Sequence, residues 1–255
     1  MIKDWNDQEI EVAYSKGGVP ILANPLDNLI STNIAPWPTP EVIQKHDKNN
    51  FSYSDDNNKE IATKKLGYNC YLQSINSEDA ITWSVFGTVS YHDLSIQTRW
   101  VNDFFNFLEL NDSSPNHPEI FLWKRFPHAE TLVPGGSEID FGILTEDTIL
   151  FGEAKWNSPL DTKQGKKEDK DQIQIRAEFL QKYINKISPN IKYRIVLYLR
   201  RSGEEYGSVD YAPDVLIKSC TWDDVCDLKS HPLSDEVKRY LEWKKQFSAG
   251  TGKYD

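Results

Sequence analysis

The sequence is poor in cysteine. Cys70, Cys220 and Cys226 are three in 255 residues. So sparse and odd a set excludes a disulfide framework and suggests a reducing compartment. Cys220 and Cys226 with His231 do not make a zinc site, because the pair is too widely spaced and a fourth ligand is missing. The five histidines (His46, His92, His117, His128, His231) form no recognisable cluster. No run approaches the ~20 apolar residues of a membrane span, and MIKDWNDQEIEV at the N-terminus has no apolar signal core. These absences lead us to expect a cytoplasmic protein with no membrane partner. GTGK (250–253) is no phosphate loop, having no strand before it and no helix after it. Positive charge is also short: 29 Lys and Arg against 39 Asp and Glu leave −10. That balance excludes a protein that coats nucleic acid or anionic membrane by bulk charge.

Aromatic residues, by contrast, are plentiful: 8 Trp, 12 Tyr and 11 Phe argue against a disordered chain. The length suffices for a sizeable core without staples. The charge is also unevenly spread. Residues 153–201 hold 12 basic and 6 acidic side chains, while the rest hold 17 basic and 33 acidic. A basic segment inside an acidic protein is either a solvated lysine-rich helix face or a local anion site. What lies at its start decides between them.

Residues 1–73 are rich in Asn, Asp, Pro and Ser and read as an irregular N-terminal extension, with short strand character near Val19 to Leu22. APWPTPE (35–41) reads as an extended piece and KHDKNNFSYSDDNNKE (45–60) as a loop. A helix starts near Ser77, a plausible N-cap followed by Glu78 and Asp79, which suit the helix dipole. A second helix spans about 95–110, with Trp100, Phe104 and Leu108 at i, i+4 and i+8. The period then changes to two. Residues 119–126, 138–144 and 148–156 read as a three-strand meander. A long helix over 168–187, a buried strand over 192–200, a further strand over 214–219 and a helix over about 233–247 follow. The order predicts an α/β fold with a mixed sheet. We take 74–201 as its core and 202–255 as a C-terminal part of the same domain.

Asp140, Glu153 and Lys155 carry the chemistry. Residues two apart on a strand share a face, so Glu153 and Lys155 point the same way. Hairpin pairing across 146–147 brings Asp140 towards Glu153. Two converging carboxylates suit a hard divalent ion such as Mg²⁺, with Mn²⁺ as a substitute. An adjacent lysine suits phosphoryl transfer, where it orients a water or stabilises developing charge. Gly142 and Gly152 mark places of close approach. Gln172 and Arg176 share one helical face and are candidates to hold a phosphate or the attacking water. Lys163, Lys166, Lys167 and Lys170 precede them, so the basic segment opens at the proposed metal site. The bland alternatives are solvent-facing carboxylates, a cross-strand salt bridge at Lys155 and surface residues at Gln172 and Arg176. Glu138 shares the face of Asp140 and replaces it as ligand if the register shifts.

SEIDFGI (137–143), FGEAKW (151–156) and DQIQIR (171–176) together resemble the PD-(D/E)XK nuclease superfamily. The resemblance covers about half the chain, with Ile139 where that motif often has proline. It implies a restriction-endonuclease-like core, α-β-β-β-α-β, with a mixed sheet flanked by helices. It further implies a Mg²⁺-dependent endonuclease acting on DNA. Asp140 and Glu153 would be its metal ligands and Lys155 its catalytic lysine, with Gln172 a further polar site residue and Glu78 a similar helix-borne metal ligand. Lys163, Lys166, Lys167, Lys170 and Arg176 would face nucleic acid. Many such enzymes form a homodimer to cut both strands. The alternative of another class is a catalytically silent nuclease-fold module that binds DNA or protein.

Overall fold

The computed structural model describes residues 1–15, 17–49, 70–127, 131, 133, 136–160, 170–203, 205–207 and 212–248. In chain order the strands are β1 (Ile2–Lys3), β2 (Glu9–Ile10), β3 (Val12–Tyr14), β4 (Pro20–Leu22), β5 (Glu119–Arg125), β6 (Glu138–Leu144), β7 (Thr148–Ala154), β8 (Tyr193–Arg200) and β9 (Leu216–Thr221). The helices are α1 (Pro40–Asn49), α2, α3 (Leu94–Phe107), α4 (Gln172–Ile187), α5 (Trp222–Cys226) and α6 (Ser234–Phe247). Helix α2 is α-helical over Glu78–Thr82, π-helical over Trp83–Gly87 and α-helical again over Thr88–Ser90. Two compact units emerge: residues 1–91 with 233–255, and residues 92–232. Residues 74–91 therefore group with the N-terminal unit, and residues 202–232 with the unit that holds the large sheet.

In the first unit, β1 pairs with β2 and β3 with β4, both antiparallel. The stretch from Pro40 to Asn49, expected as the end of an extended piece and the start of a loop, is helix α1. Thr39 and Pro40 explain this. The Thr39 carbonyl accepts from the Ile43 N–H at 3.0 Å, and proline at the first helical position gives up only an N–H that has no helical partner anyway. The start of α2 is as expected, with the Ser77 hydroxyl accepting from the Ala80 N–H at 3.1 Å. Its π turn packs Trp83 over Gly87, where an added Cβ would lie 2.4 Å from the indole. Trp83 is fully buried and donates its Nε1–H to the Ile30 carbonyl at 3.1 Å. Tyr240 of α6 donates to the Asn28 carbonyl at 2.9 Å, and buried Lys244 donates to the Ile75 carbonyl.

The second unit is built on a five-stranded mixed sheet of order β5-β6-β7-β8-β9, flanked by helices. β5, β6 and β7 form the expected antiparallel meander; β8 and β9 add in parallel. β7 is central and buried along its whole length, which is why TILFGEA lacks the polar alternation of a half-exposed strand. Ile149, Phe151 and Val196 pack with Ile173, Ala177, Leu180 and Ile184 of α4. The close approaches at Gly142 and Gly152 are internal. An added Cβ at Gly142 would meet the Phe121 ring at 2.2 Å, and one at Gly152 the Phe141 ring at 2.1 Å. Each phenyl lies across its directly paired glycine, so both glycines serve cross-strand packing. Helix α4 begins at Gln172 rather than at 168 because Asp171 caps it. Asp171 accepts from the Gln174 N–H at 2.9 Å, and Gln174 accepts from the Asp171 N–H at 3.0 Å. Among the described residues no helix is long and apolar enough to cross a membrane.

Candidate active site

The site lies where β6 and β7 part. Their ladder runs from Leu144–Ile149 to Phe141–Gly152. Beyond that pair the Asp140 side chain takes the place of a backbone carbonyl, its Oδ2 accepting from the Ala154 N–H at 2.9 Å. This bond fixes Asp140 beside the end of β7. On its other side Asp140 faces β5 at an irregular point. Leu122 pairs with Phe141 and Lys124 with Ile139, so Trp123 stands opposite Asp140, with φ at +52°. A left-handed backbone at a large aromatic residue is strained, and the strain sits at the strand position next to the proposed ligand.

Glu153 is only 1% exposed. Lys155 Nζ lies 2.7 Å from its Oε1, and Arg176 contacts its Oε2. The two cations offset its negative charge from either side. Burial, and after it the charge of Asp140, push the Glu153 carboxyl up to about 7; Arg176 and Lys155 pull it back down. Continuing the β6–β7 register past Phe141–Gly152 puts Asp140 opposite Glu153 on one face of the sheet. The Lys155 backbone is held on both sides: its N–H donates to the Leu199 carbonyl at 2.8 Å, and its carbonyl accepts from Trp222 Nε1 at 3.0 Å.

Helix α4 supplies the rest. Gln172 and Arg176 lie one turn apart, and both are buried. The Arg176 guanidinium donates to the Gln172 carbonyl at 3.2 Å and to the Glu138 carbonyl at 3.1 Å. It thereby ties α4 to β6 and to Glu153. The Glu138 carboxylate faces Arg125 at 3.3 Å. Lys170 pairs with Glu178 at 3.0 Å. Lys163, Lys166 and Lys167 lie outside the described residues. Glu78 belongs to the N-terminal unit, as the first residue of α2.

Of the expected residues, Asp140, Glu153, Lys155 and Arg176 are thus brought together in one unit, with Gln172 on the turn of α4 next to Arg176. Sequence reasoning missed the Asp140–Ala154 bond and the Trp123 distortion. Neither has a sequence signal: the first arises where the β6–β7 ladder stops, the second where the β5–β6 ladder skips one pair and resumes. Among the described residues no group of three or more His, Cys, Asp or Glu side chains is disposed around one point. No known protein family, curated protein or solved structure matches this chain.

Proposed function

We propose that this chain is a divalent-metal-dependent nuclease of the PD-(D/E)XK type, hydrolysing phosphodiester bonds of DNA. The observation that carries the reading is buried Glu153, raised in pKa by burial and by Asp140, with Lys155 two residues on along the same strand face. A buried carboxylate that feels the charge of a second carboxylate at a strand end is a candidate cation ligand. The α-β-β-β-α-β order of α3, β5, β6, β7, α4 and β8 supports the reading as well.

The residues fit Mg²⁺. This ion is ordinarily held by one or two carboxylates, with water and substrate phosphate completing its shell. Asp140 and Glu153 would hold it. When bound, it would polarise the phosphate and lower the pKa of a water. Lys155 orients the attacking water and stabilises charge developing on the phosphate. Arg176 anchors Glu153 to α4, so the carboxylate keeps its position when Lys155 turns to substrate. Water adds to phosphorus and the bond to the 3′ oxygen breaks; the products carry a 5′-phosphate and a 3′-hydroxyl.

One observation favours a second reading. Lys155 and Arg176 already balance Glu153, and such an ion triad also suits a silent module that keeps the fold without catalysis. Plasmid cleavage in Mg²⁺ or Mn²⁺ separates the two. The nuclease reading expects wild type to nick or linearise plasmid, with Glu153→Ala and Lys155→Ala each losing at least about a hundredfold in rate. Equal residual cleavage by all three proteins overturns it.

A further inference from the structure

A second cation stands at the same end of the sheet, and the nuclease chemistry above does not use it. Arg200 closes β8. β7 and β8 run parallel, with Glu153 paired to Tyr198 and Ala154 to Leu199. Arg200 is therefore the residue alongside Lys155, and alternation puts Glu153, Lys155, Tyr198 and Arg200 on one face. This is the face that α4 covers: Tyr198 packs against the cluster built around α4, and Arg200 lies over the Tyr198 ring at 6.0 Å.

Arg200 is held in place but not neutralised. It is 8% exposed. Its Nε donates to the Gly203 carbonyl at 3.0 Å, across a turn in which Gly203 has φ at +99°, a conformation that favours glycine. Its Nη1 is buried and receives no partner. Among the described residues no carboxylate forms an ion pair with it. Asp224, which like Arg200 acts on the Cys220 thiol, accepts from the Thr221 N–H at 2.8 Å and the Thr221 hydroxyl at 2.7 Å in the cap of α5. A fixed guanidinium with a buried, unpaired N–H is costly unless it meets an anion. Its planar fork matches phosphate oxygens.

We infer that Arg200 is a substrate-positioning residue. It binds a backbone phosphate of the nucleic acid next to the phosphate that is cut, and thereby sets the strand in line with Lys155 and the carboxylate pair. The inference rests on the nuclease reading for what is cut, but phosphate binding itself does not need catalysis.

The test is fluorescence anisotropy of a labelled duplex, read in EDTA across a salt series. Wild type is compared with Arg200→Gln and Arg200→Lys, and far-ultraviolet circular dichroism reports folding. Arg200→Gln is expected to weaken binding about tenfold and to reduce the slope of log K against log salt by about 0.9, one phosphate contact. Arg200→Lys keeps the slope and recovers part of the affinity, which separates a lost contact from a misfolded chain. Wild-type affinity and slope in Arg200→Gln overturn the inference, as does a loss of binding that Arg200→Lys shares in full. Plasmid cleavage by wild type and Glu153→Ala is run beside it. Glu153-dependent cleavage together with an unaffected Arg200→Gln removes only the Arg200 role. Slope loss without any cleavage removes only the catalytic reading.

Discussion

Glu153→Gln keeps the size of the side chain and removes its charge. In the folded chain burial and Asp140 raise this carboxyl from an ordinary 4.5 to about 7. Between those values the folded chain holds a proton that the unfolded chain has released, so stability falls as pH rises through the window and is level above it. The whole fall is about 3 kcal/mol, at about 1.4 kcal/mol per pH unit. Most of it falls between about pH 5 and about pH 8. At the lower pH wild type and variant both carry a neutral group at this position, so their stabilities are expected to be close. At the higher pH wild type carries a buried carboxylate beside Asp140, while the glutamine is unchanged. Urea denaturation of both proteins at both pH values therefore expects the variant to gain roughly 2–3 kcal/mol relative to wild type between the two. Parallel profiles would show that Lys155 and Arg176 hold Glu153 ionised throughout. They would refute the claim that burial and Asp140 dominate.

The same proton competes with a metal ion: Mn²⁺ affinity, measured by calorimetry, is expected to rise about tenfold per pH unit below about 7 and to level above it, whereas a flat profile between about pH 6 and about pH 8 contradicts the raised Glu153. Gly152→Ala drives a methyl into the buried Phe141 ring and should cost about 1–3 kcal/mol; an unchanged denaturation midpoint would show that the ring yields freely. Trp222→Phe leaves the Lys155 carbonyl without its indole donor, and a loss of about 1 kcal/mol is expected in the same assay, with a larger loss in cleavage rate because Lys155 is displaced.

Much of the sheet unit is legible in the sequence, and the reason is local. β6 matches its expected span because Ile139, Phe141 and Ile143 alternate cleanly with polar or small residues and the turn at Glu146 and Asp147 bounds it. The body of α4 follows from an apolar stripe of period 3.6, while its start, set by the Asp171 cap, does not. That Glu153 and Lys155 share a face follows from parity alone. The N-terminal unit is harder to read. β1, β2 and β3 are two or three residues long, too short for alternation to register. α1 is polar enough to resemble a loop, although Thr39, Pro40 and Glu41 spell a helix start. The π turn in α2 depends on Trp83 lying over Gly87 and has no periodic signature. At the site, sequence spacing supplies the residues but not their state. That Arg176 is buried against Glu153 rather than turned towards solvent comes from α4 crossing the end of β7, and that Arg200 lies alongside Lys155 comes from the parallel register of β7 and β8.

On the proposed function, Asp140 and Glu153 form one divalent-ion site. Calorimetric titration of Mn²⁺ into wild type, Asp140→Ala and Glu153→Ala at about pH 8, above the raised Glu153 pKa, tests it most directly. Saturable binding to wild type and its loss in both variants is the expected result. Binding of equal affinity in all three, or none in wild type, would contradict it.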